Sequence, residues 1–369
     1  MNYYTGDRCL DALPKAPYGD NSSYPKRLDA AKAFLATQSL EAGSHRFQGV
    51  WLGSIIGAAL ENNLDPVNRS EYDAIIQYQF SSWLKVRELI AQQIIQGRKI
   101  EAQYILEQLT PFLRDLNNIH ERRASIISYI NILLTLLPLI TLTEDNRDIY
   151  LEAINKCNFE SVNVTQLTED ISLWTYLLTM AKNDRFKPKD TNISMIVKQV
   201  VDNVGVKTTS SIEKLKIVSQ AWEHGSSLKQ LTEKLCLIDN LNYNAMPTAT
   251  DVISLSFYCF ASTPRNFMLS VKRASNLSSN LALPVTALTA TLSGAYNGLA
   301  AIPRDWQIAA NHNLGFQQAS QTVQQLNRIW LGIHNTGDRD LLYDSQIHAV
   351  AVPRAIQVRQ TLKIISQKY

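Results

Sequence analysis

Charge is scarce in this chain of 369 residues: Asp, Glu, Lys and Arg make up only 19%, against about 25% in an average soluble domain. With 45% hydrophobic residues, so weakly charged a chain has ample apolar surface for a core, which excludes disorder as its main state. Neither sign of charge dominates, with 36 Lys and Arg against 33 Asp and Glu. A formal net charge of +3 excludes a strong general pull on nucleic acid or anionic lipid. Cysteine is rare. Cys9, Cys157, Cys236 and Cys259 form no CxxC pair, so the spacing suits neither a zinc site nor a disulfide framework. The first residues lack an apolar signal core and carry Asp7 early, so a cytoplasmic location is expected. There is no GxSxG elbow, P-loop or GxGxxG. The histidines at 45, 120, 224, 312, 334 and 348 include no pair spaced like a metalloprotease motif.

Strand signals are sparse as well, and what is there is helical. Phe80, Trp83, Val86, Ile90 and Ile94 step by three or four, placing them on one helix face, and Gly97 marks a stop. Ala319, Val323, Leu326 and Trp330 repeat the pattern in a Gln-rich stretch. Val358, Leu362 and Ile365 continue it after Pro353. Ala124–Thr143 is 20 residues without a charge, enough for a helix of roughly 30 Å, the thickness of a hydrocarbon core. Its Ser125, Ser128, Asn131, Thr135, Pro138 and Thr141 suit a buried protein helix better than lipid. Residues 1–44 differ from the rest. Pro14, Pro17, Pro25, four tyrosines and the Gly19–Ser23 turn cluster precede a helix expected around Leu28–Ser39. Breaks are expected near Lys187–Asn192 and Asn242–Thr248.

Two segments carry a family signature. In Arg46–Leu60, Gly49, Gly53 and Gly57 are four apart and line one helix face, where another backbone can approach closely. Near the other end come Gly294, Ala295 and Gly298, then Ile302, Pro303 and Trp306. Together with Arg46 these positions resemble the ADP-ribosylglycohydrolase family, in its opening glycine helix and its Gly-Ala-x-x-Gly and Ile-Pro-x-x-Trp ending. The resemblance implies an all-α fold, a compact multi-helix domain over 45–306. An N-terminal arm would occupy 1–44, and a C-terminal helical extension, packed on the same domain, 307–369. It also implies a pair of magnesium ions, held by an early Asp-Asp-Thr and a late Asp-x-Asp-Thr, that hydrolyse glycosidic bonds of ADP-ribose. Two such ions need several carboxylates converging on one point.

Those carboxylates are missing. The late tetrad falls on Leu281, Ala282, Leu283 and Pro284, and the early one on Ser81 and Ser82 beside Trp83. The acid after the third glycine is Ala58. A shift of register supplies none, because residues 274–303 carry no charge and 77–87 no acid. Asp65, Asp73 and Glu88 could form a different acid set; solvated helix-end acids are the simpler account. The expectation is a catalytically inactive relative with no metal and no cofactor. It would act as a scaffold or regulatory module that binds another protein, with no nucleic acid and no membrane insertion. An active hydrolase with a non-standard site and a metal-free ADP-ribose binder are the alternatives. The Tyr-rich arm, with Tyr3, Tyr4, Tyr18 and Tyr24, suits docking or wraps the domain's own core.

Overall fold

A helix whose residues are apolar or small on every side has to lie at the centre of the fold, and the charge-free run before Pro303 forms such a helix. The computed structural model describes residues 43–58, 71–96, 101–117, 122–142, 148–156, 163–183, 197–199, 202, 209–238, 248–277, 279–308 and 316–331. All of them belong to one compact unit, Ala42–Tyr369. Every regular element among them is helical, so the fold is all-α. The helices are α1 (43–58), α2 (Glu71–Ile95), α3 (Ala102–Asn117), α4 (Arg122–Thr135), α5 (Leu137–Leu142), α6 (Asp148–Asn155) and α7 (Val164–Lys182). They continue as α8 (Thr209–Glu223), α9 (Leu228–Ile238), α10 (Ala249–Ser262), α11 (Phe267–Ser275), α12 (Ser279–Asn297) and α13 (Phe316–Trp330). The expected helix at Leu28–Ser39, the break at Lys187–Asn192 and the stripe after Pro353 lie outside the described residues.

Helix α12 is the axis of the fold and packs mainly on α11, α10 and α7. Its residues from Leu281 to Ala295 are buried, Thr286, Thr289, Thr291 and Ser293 among them. Most of these hydroxyls are bonded: Thr291 donates to the Ala287 carbonyl at 2.7 Å and Thr289 to the Ser256 carbonyl at 3.4 Å, while the Thr286 hydroxyl finds no partner among the described residues. Ser256 of α10 donates to the Val285 carbonyl at 3.2 Å. Helix α1 lies against α12 with no side chain between them at the glycines. A Cβ on Gly49 would overlap the Gly294 carbonyl, one on Gly53 the Ala290 carbonyl, and one on Gly57 would sit 2.7 Å from the Ala287 Cα. The four-residue glycine spacing thus marks a backbone-to-backbone contact, as expected.

The Ile-Pro-Arg-Asp-Trp ending closes this unit. Gly298 takes φ +77°, a left-handed conformation that glycine adopts without strain, and turns the chain out of α12. Ile302 is then buried, and Trp306 meets Phe267 with ring centroids 6.2 Å apart. The Asn297 amide ties the same corner to the Pro264 carbonyl at 2.7 Å.

The uncharged run Ala124–Thr143 is two helices, not one. Pro138 in the first turn of α5 has no N–H to continue the ladder, and the chain breaks at Leu136. Residues 126–141 are buried but for the half-buried Tyr129. No helix among the described residues is long and apolar enough to cross a membrane. Helix α2 carries its expected stripe, with Trp83 and Ile90 fully buried. It packs on α4 and on α13, which buries Ala319, Val323 and Leu326 and stacks Trp330 on Phe47 at 5.6 Å. Gly43 and Ser44 already belong to α1, and Asn327 of α13 donates to the Ser44 hydroxyl.

Candidate functional site

The positions at which the family resemblance implies metal ligands lie on two helices, α2 and α12, that have different main neighbours. Leu281 and Leu283 are 2% and 4% exposed in the first turns of α12, part of the main hydrophobic core. Ser82 is half-buried on α2, and Trp83 beside it is fully buried; the side chain of Ser81 lies outside the described residues. The main neighbours of α2 are α4 and α13, whereas those of α12 are α11, α10 and α7. Leucines buried at these positions present hydrocarbon where an ion would need oxygen. Among the described residues no three His, Cys, Asp or Glu are grouped to hold a metal.

Glu88 corrects one expectation. It is not a solvated helix-end acid. It lies in the body of α2, half-buried, where it accepts from Gln92 at 3.1 Å and from the Thr322 hydroxyl of α13. Asp65 and the Asp73 side chain lie outside the described residues. His45 and His224 are exposed, and His224 Nδ1 contacts the Gln220 carbonyl of its own helix at 2.7 Å.

The sequence did not single out the polar cluster where the first turns of α7, α8 and α10 converge. Asp170, Ser211, Lys214, Thr250 and Asp251 are each 1–2% exposed. Thr250 donates to Asp170 at 2.7 Å, Gln166 donates to it at 3.2 Å, and Gln166 also lies 3.1 Å from the Ser211 and Thr250 hydroxyls. Burial raises the Asp170 carboxyl to about 7, against the help of these donors and of Lys214. Next to it, Asp251 closes a capping box: its Oδ2 accepts from the Thr248 N–H at 2.7 Å, and the Thr248 hydroxyl accepts from the Asp251 N–H at 3.3 Å. Its Oδ1 lies 3.1 Å from Lys214 Nζ, an ion pair without a well-aligned hydrogen bond. Lys214 donates to Thr248 at 2.7 Å instead. Burial pushes Asp251 up, and Lys214 pulls it back. The one signal in the sequence was Thr248-Ala-Thr-Asp251, an N-cap followed three residues later by an acid. Nothing in the spacing told that Asp170, 80 residues away, would join it.

No protein family and no curated protein matches this chain. The polar cluster therefore stands on its own geometry.

A second buried cation lies between α1 and α2. Arg87 is fully buried, its guanidinium 4.7 Å from the ring centres of both Trp51 and Trp83. It donates to the Ser54 hydroxyl at 2.7 Å and to the Trp51 carbonyl at 3.5 Å, while Nε and Nη2 find no acceptor among the described residues. Burial lowers its pKa to about 9, opposed by Glu88. Two indole faces replace part of the lost hydration. Lys182, at the end of α7, repeats the arrangement: its Nζ lies 4.9 Å from the Trp330 ring centre and 5.8 Å from that of Phe47, and donates to the Thr141 carbonyl at 3.2 Å. Arg46 of α1, where the signature segment begins, donates to the Lys182 carbonyl at 3.2 Å. These cations join helices; their charges point inward at aromatic rings and carbonyls.

Proposed function

We propose that this chain is a catalytically inactive ADP-ribosylglycohydrolase-like protein that acts as a scaffold or regulatory module, binding another protein in the cytoplasm. One observation carries the proposal. The signature glycines of α1 meet α12 backbone to backbone at Gly294, Ala290 and Ala287, while the positions expected to bind metal hold buried Leu281 and Leu283. Framework and chemistry have separated along a single helix, and a fold does not by itself carry an activity. The two most deeply buried carboxyls support the same conclusion, because Asp170 and Asp251 are tied to hydroxyls, a lysine and a helix cap.

Two measurements test the proposal. Purified protein incubated with an ADP-ribosylated peptide, with and without magnesium, should release no ADP-ribose, and elemental analysis should find no stoichiometric divalent metal. Release of ADP-ribose, or two bound divalent ions per chain, would overturn it. Calorimetric titration with ADP-ribose should give no binding heat at millimolar ligand; a saturable heat would make the chain a metal-free ADP-ribose binder instead.

A further inference from the structure

Helices α9 and α11 border an open cleft of about 730 Å³, within the 300–1,000 Å³ range of small-molecule sites. Its floor is apolar, formed by Leu228, Leu269 and Leu277, and Leu269 is 48% exposed. Met268 extends the apolar surface, at 39% exposed. Of the four exposed large apolar residues among those described, Leu89, Met268, Leu269 and Ile308, only Met268 and Leu269 are neighbours, and they form a small apolar patch.

The rim is cationic. Lys229 on one side and Lys272 and Arg273 on the other face a single lining acid, Glu233. None of the three cations forms an ion pair with a described carboxylate. Arg273 differs from the two lysines, which are exposed. It is half-buried, and its Nη1 is shut off from water with no hydrogen-bond acceptor among the described residues. Its charge reaches Tyr258 and Cys259 of α10 beneath the cleft, and Tyr258 already donates to the Ser226 carbonyl at 2.6 Å. Nη1 is out of a ligand's reach, whereas Nε and Nη2 are not among the buried atoms and stay open to one on the cleft lining. A guanidinium presents a fork of donors that fits a carboxylate or phosphate.

We propose that the cleft between α9 and α11 binds an amphipathic anion, with its apolar body on Leu228, Leu269 and Leu277 and its carboxylate or phosphate head on Arg273. Lys229 and Lys272 at the rim attract the head and make affinity fall as salt screens them. The site lies on different helices from the positions compared with the hydrolases, so it stands whether or not the proposed function does.

Dodecyl phosphate, held below the concentration at which it forms micelles, is the probe, with titration followed by calorimetry. It should bind saturably, and dodecanol and inorganic phosphate should each bind far more weakly. Arg273→Gln should weaken dodecyl phosphate by roughly tenfold or more, as expected for loss of a charged hydrogen bond. Leu269→Asp, at an exposed position that leaves folding intact, should abolish binding by placing an acid on the floor. Lys234→Gln, on α9 but outside the lining, should leave affinity unchanged. Flotation with phosphatidylglycerol vesicles separates two sources of the anion: protein left in the soluble fraction marks a free ligand, and flotation lost in Arg273→Gln marks a bilayer headgroup in the same cleft. Equal affinity for dodecanol and dodecyl phosphate, or binding that neither Arg273→Gln nor Leu269→Asp alters, would overturn the proposal.

Discussion

Replacing Asp170 with Asn should make the protein more stable at neutral pH and leave it unchanged in acid. The native carboxyl titrates at about 7, against 3.8 in water, because it is 1% exposed at the junction of α7, α8 and α10. Below 3.8 it is protonated in the folded and the unfolded chain alike, and contributes nothing to the pH dependence. Between 3.8 and 7 folding takes up a proton, so stability falls as pH rises, by up to about 1.4 kcal/mol per unit. Above 7 the ionised group is buried at full cost, about 4 kcal/mol over those three units. Asparagine keeps an oxygen for Thr250 and Gln166 to donate to, and it has no charge to bury. Urea unfolding followed by tryptophan fluorescence, at pH 4, 5.5 and 7.5, measures both proteins. The raised Asp251 titrates in the same direction and is common to both, so the difference between the two curves isolates Asp170. The variant should match wild type at pH 4 and gain up to about 4 kcal/mol at pH 7.5. A difference that does not change with pH would refute the argument, and so would a variant less stable at every pH.

Gly49→Ala should cost about 3 kcal/mol, since its new methyl meets the Gly294 carbonyl and no side chain is there to yield. Calorimetry should show a melting temperature lower by several degrees, whereas Gly225→Asn, at φ +61° in open space, should hardly move it. Lys214→Met should cost about 3–5 kcal/mol by leaving Asp251 charged and unpaired in the interior. Adding Asp251→Asn should recover much of that loss in a urea double-mutant cycle. Cys259 is fully buried, with its thiol pushed up to about 12 by burial. A thiol reagent at pH 8 should label it only as fast as the chain unfolds; rapid labelling of folded protein would refute this.

Helix faces were legible because they depend on local spacing alone. The step pattern of Trp83, Ile90 and Ile94, and the triad Ala319, Val323 and Leu326, needed only the 3.6-residue period and a core to face. The break at Pro138 was less legible. A proline can start a helix as well as end one, and only the register of α4 and α5 settled that here. Glu88 read as a solvated acid because its partner, Thr322, lies 234 residues further along the chain. Asp170 went unnoticed for the same reason.

Composition and spacing by themselves pointed to an all-α fold, a glycine face built for backbone contact, and the absence of acids from 274–303. Those properties belong to neighbours in sequence, so no fold was needed to see them. Tertiary structure alone decided which backbone the glycines meet and that Leu281 and Leu283 are buried. It also decided that Asp170, Lys214 and Asp251 share one buried junction. Burial is a property of distant segments brought together, and it is burial, rather than residue type, that moves a carboxyl from 3.8 to about 7.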